Sequence, residues 1–381
     1  MLKTVLILGG GMGGVVTANV LKRAAGPDAR VVIVDRNDEY HFAGMYPMLL
    51  IGERNPRRIT RRLGDLARKG IEFIRADVRE VETENRTVVT NQGPLSYDYL
   101  VMSPGVEFYP QEIPGFSEHA FNVYAFEDVV RAASRAALFK QGHIVLFVPG
   151  PCFRFPLGPY EFIFQLDQFF RQRGIRDRVS LSLVTFDPRP FPQASPLVGE
   201  SVTRMLHKRE IGIRTSTRVI RVEPGELVTE DGARIAGDLF LGIAPHKAPS
   251  VIQSTGLADA DGWAQVHPST LETGCPGVYA IGDGTAIRMP ASGEYAPKAG
   301  IFAHYQAEVV ARNITRHIRG KGPGFAYTGK GALIMFSGSG KARYSSVRYF
   351  QNPPLFTLLE PTTAAYWAKL AFERYWLSRW F

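Results

Sequence analysis

Hydrophobic and polar positions along the first 36 residues follow the order of a strand, a turn, a helix and a second strand. Thr4–Leu8 is a short apolar run, and Gly9–Gly14 is a glycine-rich turn. Val15–Ala25 has helical spacing, and Arg30–Val34 is a β-branched run. A strand–helix–strand unit pairs its strands in parallel through a right-handed crossover. The pattern therefore predicts the start of a doubly wound α/β sheet.

Further apolar runs predict a second α/β unit after about residue 113. The predicted strands are Ile71–Ala76, Tyr99–Met102, Ile144–Val148, Val179–Phe186, Leu239–Ile243 and Val278–Ile281, and the predicted helices are Tyr160–Gln172 and Ala299–Arg319. Residues 77–94 indicate a small antiparallel excursion, and residues 320–381 are rich in aromatics and short strands. We therefore predict an α/β fold with two Rossmann-like domains: a discontinuous one at 1–112 and 251–320, and an inserted one at 113–250. Residues 321–381 would form a C-terminal membrane or dimer-interface region.

Composition places the chain among soluble globular proteins large enough for two domains. It has 381 residues, of which 45% are hydrophobic and 21% charged. Only two cysteines occur, Cys152 and Cys275, which excludes a disulfide framework, and no Cys/His spacing indicates a metal site. Glycines follow the apolar residues Val5–Leu8 at once, so we expect no signal peptide. No stretch approaches the length of a membrane span. The expected location is the cytoplasmic side of a membrane, as a peripheral protein.

The net charge of +9 suits nucleic acid, an anionic membrane surface or an acidic partner. Much of the excess lies in one segment, with Arg54, Arg57, Arg58, Arg61, Arg62, Arg68 and Lys69. Two interpretations stay open for it: a solvated helix face, or a patch that faces lipid or a partner. We expect no nucleic-acid partner.

The first glycine-rich turn has the spacing of a dinucleotide-binding loop. Gly9, Gly11 and Gly14 satisfy G-x-G-x-x-G, and Gly13 adds further backbone freedom. Such a turn lets a pyrophosphate approach bare N–H groups at a helix N-terminus. Asp35 ends the next strand about 20 residues later, where a carboxylate can accept from ribose hydroxyls. A glycine needed only for close packing would explain one of these positions, but not the set.

A second motif lies near the end of the chain, at residues 276–283, with the sequence PGVYAIGD. It resembles the flavin motif of the two-dinucleotide-binding-domain flavoproteins. That resemblance implies that Gly282 and Asp283 contact FAD, with the carboxylate holding the ribityl chain and phosphate. It also implies that the first glycine loop binds FAD rather than NAD.

Within that superfamily, the chain resembles the sulfide:quinone oxidoreductases and the flavoprotein subunit of flavocytochrome c sulfide dehydrogenase. The segments that carry the resemblance are ILGGGMGG at 7–14, YDYLV at 97–101, GPYE at 158–161, PKAG at 297–300 and WAKLAFERY at 367–375. The resemblance implies an FAD-dependent oxidoreductase that passes electrons from sulfide or another reduced-sulfur molecule to a quinone. The alternatives are a subunit that reduces a cytochrome-type protein, a type II NADH:quinone dehydrogenase, and a homologue that has lost sulfide oxidation.

The resemblance also assigns residues around the flavin ring. Lys298 would stand beside the pyrimidine end, where a cation stabilises negative charge on the reduced ring. Glu161 would face the other side as a proton carrier if burial raises its pKa. Pro47 would pack against the ring, and Gly105 lies in a Ser-Pro-Gly turn close to it. The competing interpretations are a solvated lysine at a helix start, and a glutamate that stabilises a helix dipole.

The loop Pro149–Pro159 stands where a type II NADH dehydrogenase needs its second glycine fingerprint. Its two glycines are far apart, and four prolines remove N–H donors that a phosphate requires. Phe153 and Phe155 add bulk at the same place. The sequence therefore argues against NADH binding in the inserted domain.

The cysteines depart from the pattern of the sulfide-oxidising relatives. The resemblance implies two redox cysteines beside the flavin. The loop position of the first falls on Phe155, three residues after Cys152, and no cysteine follows Cys275. Cys275 lies about seven residues, at roughly 3.3 Å each, from the flavin end of its strand, so a structural thiol is the better interpretation. Two hypotheses stay open: Cys152 reaches the flavin as a reactive thiolate, or the donor reacts without any cysteine.

The C-terminal segment combines aromatic and basic residues, which the headgroup region of a bilayer favours. At helical spacing, Tyr366, Leu370, Leu377 and Phe381 share one side, but aromatics also fall opposite it. We expect monotopic membrane contact, with an oligomeric interface as the alternative. The apolar segment Pro353–Leu359 is predicted to form a quinone entry.

Overall fold

The computed structural model describes residues 2–151, 154–192 and 196–381. The helices are α1 (Met12–Ala25), α2 (Tyr46–Leu50), α3 (Phe116–His119), α4 (Phe126–Leu138), α5 (Gly158–Gln172), α6 (Pro196–Lys208), α7 (Ser250–Gln253), α8 (Gly300–Arg319) and α9 (Thr363–Trp380). The strands are β1 (Lys3–Leu8), β2 (Ala29–Asp35), β3 (Glu39–His41), β4 (Thr60–Arg62), β5 (Glu72–Arg75), β6 (Val78–Glu82), β7 (Thr87–Thr90), β8 (Gly93–Ser96), β9 (Tyr99–Met102), β10 (Glu107–Phe108), β11 (Ala120–Asn122), β12 (Gly142–Val148), β13 (Val179–Thr185), β14 (Gly212–Arg214), β15 (Val219–Glu223), β16 (Glu226–Thr229), β17 (Arg234–Ala236), β18 (Leu239–Gly242), β19 (His246–Lys247), β20 (Val278–Ala280), β21 (Lys330–Gly338), β22 (Lys341–Arg348) and β23 (Leu355–Leu358).

The first sheet is parallel throughout, in the order β20-β9-β1-β2-β5. Its central strand, β1, is buried from Val5 to Leu8, because helices and other layers cover both faces. The predicted strand–helix–strand unit is confirmed by the pairing of β1 with β2 on either side of α1. Because β20 follows the inserted unit in sequence, the first sheet is built from two segments of the chain that flank that unit.

The second sheet is also parallel, in the order β11-β18-β12-β13-β14. It uses only residues between 120 and 242, as the predicted insertion requires. The chain passes between the two units at β10 and β19, which pair antiparallel with each other. The α/β fold class with two doubly wound units is confirmed, and the antiparallel excursion is found in β6-β7-β8. The domain boundaries stay a prediction.

The C-terminal region is an antiparallel sheet, β21-β22-β23, followed by α9. The apolar residues that share one side of α9 at helical spacing do not form its buried face. Of the four residues Tyr366, Leu370, Leu377 and Phe381, only Leu377 is fully buried. The buried positions of α9 are Lys369, Glu373, Trp376, Leu377 and Trp380. Two of these are charged, and hydrophobic periodicity misses them because each is buried against an opposite charge.

The basic segment 54–69 is not one helix face. It folds as short 3-10 turns around β4, and Arg54 is nearly buried in an ion pair with Glu373 of α9, 3.0 Å between nitrogen and oxygen. Lys69 donates to the carbonyl oxygen of Arg379 at 2.8 Å. Two of its cations therefore fasten α9 to the first domain. Within the described part of the chain, no helix combines the length and apolar character that a bilayer crossing needs.

Candidate functional site

The first glycine loop is packed too tightly for side chains at two of its positions. A Cβ on Gly14 would lie 1.9 Å from the carbonyl oxygen of Gly9, and a Cβ on Gly9 would lie 2.2 Å from that of Ser103. Gly9 also has a φ of +102°, which favours glycine. At Gly11, by contrast, a Cβ would meet nothing within 4 Å. The loop therefore leaves room for a ligand at Gly11, at the N-terminus of α1.

Asp35 is placed at the end of β2, beside this loop. Its Oδ2 accepts from the backbone N–H of Gly10 at 2.6 Å, and its Oδ1 accepts from that of Asn37 at 2.8 Å. The carboxylate thus fixes the loop as well as the end of the strand. Its predicted contact with a ribose stays a prediction.

The late flavin motif lies directly against the first glycine loop. A Cβ on Gly13 would lie 2.6 Å from the Ser103 hydroxyl and 3.1 Å from the Ile281 side chain. Gly282 has a φ of +76°, and its N–H donates to Gln306 of α8 at 2.6 Å. The fold therefore brings together two motifs that are about 270 residues apart, because β1 and β20 flank β9 in one sheet.

Gly105 belongs to the same cluster. A Cβ on Gly284 would lie 3.4 Å from the Gly105 carbonyl oxygen, and Gly105 itself has a φ of +77° with open space at its Cβ position. Pro47 is buried in α2, next to Tyr46. Burial raises the pKa of the Tyr46 phenol, and the Arg154 guanidinium opposes this shift, so the proline loop lies within electrostatic reach of α2.

Lys298 is buried, with 5% of its surface exposed, which contradicts the interpretation as a solvated lysine. Its ammonium donates to the carbonyl oxygens of Asp283 at 2.7 Å and Thr285 at 2.6 Å. It also lies 3.7 Å from the centre of the Trp263 ring. Burial lowers the pKa of Lys298 to about 7, although the Asp283 and Asp259 carboxylates act in the opposite direction. The lysine therefore holds the turn that carries Asp283.

The proline loop after β12 is tied to the flavin motif and to the start of α8. The Nε of Arg154 lies 3.3 Å from an Asp283 carboxylate oxygen. The N–H of Phe155 donates to the carbonyl oxygen of Lys298 at 2.6 Å, and the Tyr124 hydroxyl donates to that of Phe155 at 2.6 Å. Arg154 was not among the site residues predicted from the sequence, although a charged residue among prolines and phenylalanines could have indicated a functional position. Cys152 and Phe153 lie outside the described residues.

Glu161 begins the buried face of α5 and is fully inaccessible to solvent. Its Oε1 accepts from the backbone N–H of Phe336 at 2.7 Å and from the Lys369 ammonium. Burial raises the pKa of the Glu161 carboxyl, and Lys369 acts against it. Burial lowers the pKa of Lys369, and Glu161 acts against that shift. Glu161 is therefore a buried ion-pair partner rather than a surface residue that stabilises the helix dipole.

Several polar atoms around this ion pair are buried and lack a hydrogen-bond partner among the described residues. They are the Oε2 of Glu161, both amide atoms of Gln165, and the Ser337 hydroxyl. Glu161 and Gln165 are one turn apart on α5, so they share a face. Buried polar atoms normally bind protein or water, so this group marks a place for a polar ligand or solvent.

An apolar cavity lies one turn before Glu161 on the same face of α5. It is narrow and partly open to solvent, and its exposed walls are nearly all apolar. Its walls include Leu157 just before α5, Val198 and Val202 of α6, Leu333 and Met335 of β21, and Phe356 and Leu358 of β23. The segment 353–359 thus contributes to a cavity. Next to these wall residues, Leu197 and Leu355 are exposed.

Cys275 is a half-buried free thiol at the start of the turn before β20. It packs against the cluster that contains Val278, at the opposite end of that strand from Gly282. Its position fits a structural thiol.

The residues present fit FAD. The open space at Gly11 lies at a helix N-terminus, where a pyrophosphate binds backbone N–H groups. Gly105 lies against the turn that carries Asp283, and Arg154 joins Asp283 to the proline loop, while the contact of Pro47 with the flavin ring stays a prediction. Arg154 and Phe155 attach the loop after β12 to the flavin motif and to the start of α8, and the absence of an NADH site in the inserted unit stays a prediction.

A family model described as pyridine nucleotide-disulphide oxidoreductase matches residues 3–145 and 168–307, which is more than half of the chain. The match is interrupted over 146–167, the stretch that holds the proline loop. Two curated relatives are sulfide:quinone enzymes. The chain is 26% identical over 343 residues to the sulfide-quinone reductase of Aquifex aeolicus, covering 84% of this chain and 77% of that protein. It is 22% identical over 364 residues to the mitochondrial sulfide:quinone oxidoreductase of Mus musculus, covering 92% and 79%.

Among solved structures, the sulfide:quinone oxidoreductase of Aquifex aeolicus superposes with a TM-score of 0.91 at 23% identity, covering 99% of this chain and 91% of that one. The NDH2 of Plasmodium falciparum in complex with NADH superposes with a TM-score of 0.74 at 14% identity, covering 100% and 97%. At these identities the superpositions show the fold. The resemblance predicted from the sequence is confirmed.

Proposed function

This chain belongs to the pyridine nucleotide-disulphide oxidoreductase family and is an FAD-dependent oxidoreductase, and we propose that it passes two electrons from a reduced-sulfur donor to a quinone. When bound, FAD supplies the centre that takes two electrons from the donor and releases them to the acceptor. With sulfide as donor, two hydrosulfide ions, a quinone and a proton give a hydrodisulfide ion and a quinol. One sulfur–sulfur bond forms in this balance, and sulfur is oxidised while the quinone is reduced.

The observation that carries this proposal is the attachment of the proline loop to the flavin site. Arg154 contacts Asp283, and Phe155 is bonded to Lys298, and both contacts support a loop that is closed to a nicotinamide donor. A small donor needs no pyrophosphate cradle. This supports sulfide or a similar reduced-sulfur molecule over NADH, although type II NADH dehydrogenases share the fold.

The residues that we propose for the site follow from the same geometry. The cofactor-binding set is Gly9, Gly11, Gly13, Gly14, Asp35, Pro47, Gly105, Gly282, Asp283 and Lys298. Lys298 acts in part by holding the Asp283 turn through two carbonyl oxygens. Glu161 is proposed as a proton carrier, and Cys152 stays a hypothesis for donor chemistry.

On the acceptor side, we propose that the quinone head group binds beside Glu161 and Lys369. Glu161 and Lys369 form a buried ion pair, and a proton can lie on either group. Either group can therefore deliver a proton to a reduced quinone oxygen. The apolar cavity one turn of α5 away would take the quinone tail. The unpartnered atoms of Gln165 and Ser337 provide polar contacts or ordered water for proton resupply.

We propose that the protein works as a peripheral protein on the cytoplasmic side of a membrane. Leu197 and Leu355 are exposed next to cavity residues, and Trp367 of α9 is 63% exposed. Exposed leucine and tryptophan side chains suit the interface of a bilayer, from which a quinone would enter. A homo-oligomer that covers these side chains is the alternative.

An anaerobic titration tests the donor. We expect sulfide to bleach the absorbance of the bound flavin rapidly, and NADH to leave it unchanged over the same time. Re-oxidation by a soluble quinone should follow, with quinol formed in proportion to the sulfide consumed. Rapid bleaching by NADH would refute the argument from the proline loop. A flavin that sulfide reduces but quinone does not re-oxidise would favour a cytochrome-type protein acceptor.

A further inference from the structure

Arg154 brings a guanidinium group to the Asp283 carboxylate, at the place where the proline loop meets the flavin motif. The Nε–carboxylate oxygen distance is 3.3 Å. The guanidinium also lies 5.5 Å from the centre of the Phe108 ring, which is within cation–π range. The Arg154 side chain is 29% exposed, so this cation is accessible from outside the flavin site.

Several contacts hold the backbone around Arg154, and they fix the position from which its side chain extends. The Arg154 N–H donates to the Nε2 of His246 at 3.3 Å, and Arg154 forms an isolated parallel bridge with Lys298. Phe155 adopts a φ of +45°, a conformation uncommon for a bulky residue, and is bonded on both sides by Lys298 and Tyr124. Strain of this kind persists where the surrounding structure over-determines it, as at ligand sites.

The charged groups around this point include two cations, Arg154 and Lys298. Burial, with a smaller contribution from these cations, lowers the pKa of His246 to about 4, so His246 is neutral and accepts the Arg154 N–H. The carboxylates of Asp283 and Asp259 both act on Lys298, and Arg288 lies 3.9 Å from an Asp259 carboxylate oxygen. Arg154 is the cation that the proline loop brings to Asp283.

A planar guanidinium with five N–H donors suits a small anion better than a neutral molecule. Phe155 stands at the loop position where the family resemblance expects a redox cysteine, so covalent capture of sulfur at that position is not open to this chain. An anion held without a covalent bond next to the flavin motif would replace that step, because charge-assisted contacts position a reactant as a bond would.

We propose that Arg154 is a specificity-determining residue that binds the sulfur donor as an anion, of the hydrosulfide or persulfide class, beside Asp283. This inference rests on the proposed function and deepens it by naming the form in which the donor binds. The same guanidinium would favour an anionic donor over a neutral thiol. Donor affinity should therefore depend on Arg154, whereas quinone affinity should not.

The test compares Arg154→Gln, Arg154→Lys and a control, Arg204→Gln, in the FAD-loaded protein. Arg204 lies on α6 with a 72% exposed side chain. Hydrogen bonds to charged groups contribute about 1.5–3 kcal/mol, so the KM for sulfide should rise about 10- to 100-fold in Arg154→Gln. The rise should be smaller in Arg154→Lys, and the quinone KM, flavin content and Arg204→Gln kinetics should stay at wild-type values.

A second readout needs no turnover. Thiocyanate serves as an unreactive anionic probe, and its binding is followed by the absorbance change of the bound flavin and by the shift in melting temperature. We expect saturable binding in wild type and Arg204→Gln, and its loss in Arg154→Gln. Unchanged thiocyanate and sulfide affinity in Arg154→Gln would overturn the proposal, as would an Arg154→Gln protein that has lost its flavin. If sulfide fails to reduce the wild-type flavin, the proposed function fails, while Arg154-dependent thiocyanate binding still supports an anion site.

Discussion

Lys369 of the C-terminal helix and Glu161 of α5 form a buried ion pair across 208 positions of sequence. Lys369 lies on the face that fastens α9, and Glu161 directly follows the proline loop at the start of α5. The pair also meets the β21 backbone at Phe336, so three separate parts of the chain converge on one carboxylate. The Glu161 carboxylate therefore links α9 and β21 to the first turn of α5.

Removing one partner of this pair should destabilise the protein strongly. Lys369→Met leaves the Glu161 carboxylate buried and unpaired, at a cost of about 3–5 kcal/mol in the free energy of unfolding. The double variant Glu161→Gln/Lys369→Met should lose less than Lys369→Met alone. Urea unfolding measures both, with the exposed Lys321→Met as control. Equal losses in the single and double variants would contradict the coupling.

The destabilisation caused by Lys369→Met should depend on pH. Burial raises the pKa of Glu161, so the folded state binds the proton more readily than the unfolded state. Stability contributed by the protonated form is present at low pH and is lost as pH rises through the folded-state pKa. The destabilisation of Lys369→Met should therefore be smaller at about pH 5 than at about pH 8. A cost that does not change between these pH values would show that Glu161 is not the group responsible.

Two glycines of the first loop should respond differently to alanine. Gly11 has a φ of −71°, which any residue adopts, and open space at its Cβ position. Gly11→Ala should keep the stability of the flavin-free protein and lower FAD affinity about tenfold or more, because the methyl group enters the space proposed for the pyrophosphate. Gly14→Ala should instead cost about 1–3 kcal/mol, since its Cβ would lie 1.9 Å from the Gly9 oxygen. Wild-type FAD affinity in Gly11→Ala would place the pyrophosphate elsewhere.

Lys298 should give the protein a stability that rises with pH. Its pKa of about 7 in the fold lies below the usual value for lysine, so between about pH 7 and pH 10 the unfolded state binds more protons. The unfolding free energy should therefore increase over that window in wild type. Lys298→Met should lack this increase and should also bind FAD more weakly, because the Asp283–Thr285 turn loses two hydrogen bonds. Parallel pH profiles for the two proteins would refute the shift.

Filling the apolar cavity should discriminate between quinones by tail length. Val202 lines the cavity, and Val202→Trp would occupy part of its volume. The KM for a long-tailed quinone should rise about tenfold, whereas a quinone without a tail should react as with wild type. Leu138→Trp, at an exposed position of α4, is the control. An equal rise in KM for both quinones would show that the cavity does not bind the quinone tail.

Membrane contact is best tested with exposed side chains rather than by deletion. Removing α9 would also remove Lys369 and Glu373, and so leave Glu161 and Arg54 without their partners. Trp367 and Tyr375 are 63% and 56% exposed. The double variant Trp367→Ser/Tyr375→Ser should float less with anionic liposomes than wild type, at unchanged melting temperature. Unchanged flotation would leave an oligomeric interface as the better explanation of these aromatics.

Local pattern predicted much of the fold because parallel strands between helices are nearly continuous apolar runs. Tyr99–Met102 was predicted with the bounds that the structure has, and β1, β12 and β18 differ at their ends by a residue or two. The buried face of α9 could not be predicted from the pattern, for a physical reason. Lys369 and Glu373 are polar in sequence but buried in the fold, and only their partners Glu161 and Arg54, far away in sequence, make that burial tolerable.

By itself, the sequence predicted the two doubly wound units, the glycine loop with Asp35 and, through a family resemblance, the flavin motif at Asp283, and it argued against NADH binding at the proline loop. These follow from short-range chemistry: glycine where backbone must approach closely, proline where a donor is removed, and apolar runs where strands are covered. Only the tertiary structure decided that Lys298 holds the Asp283 turn, that Arg154 meets Asp283, and that Glu161 pairs with Lys369. Such contacts depend on where distant segments meet, and the charge of a residue does not reveal its partner until the fold has brought the two together.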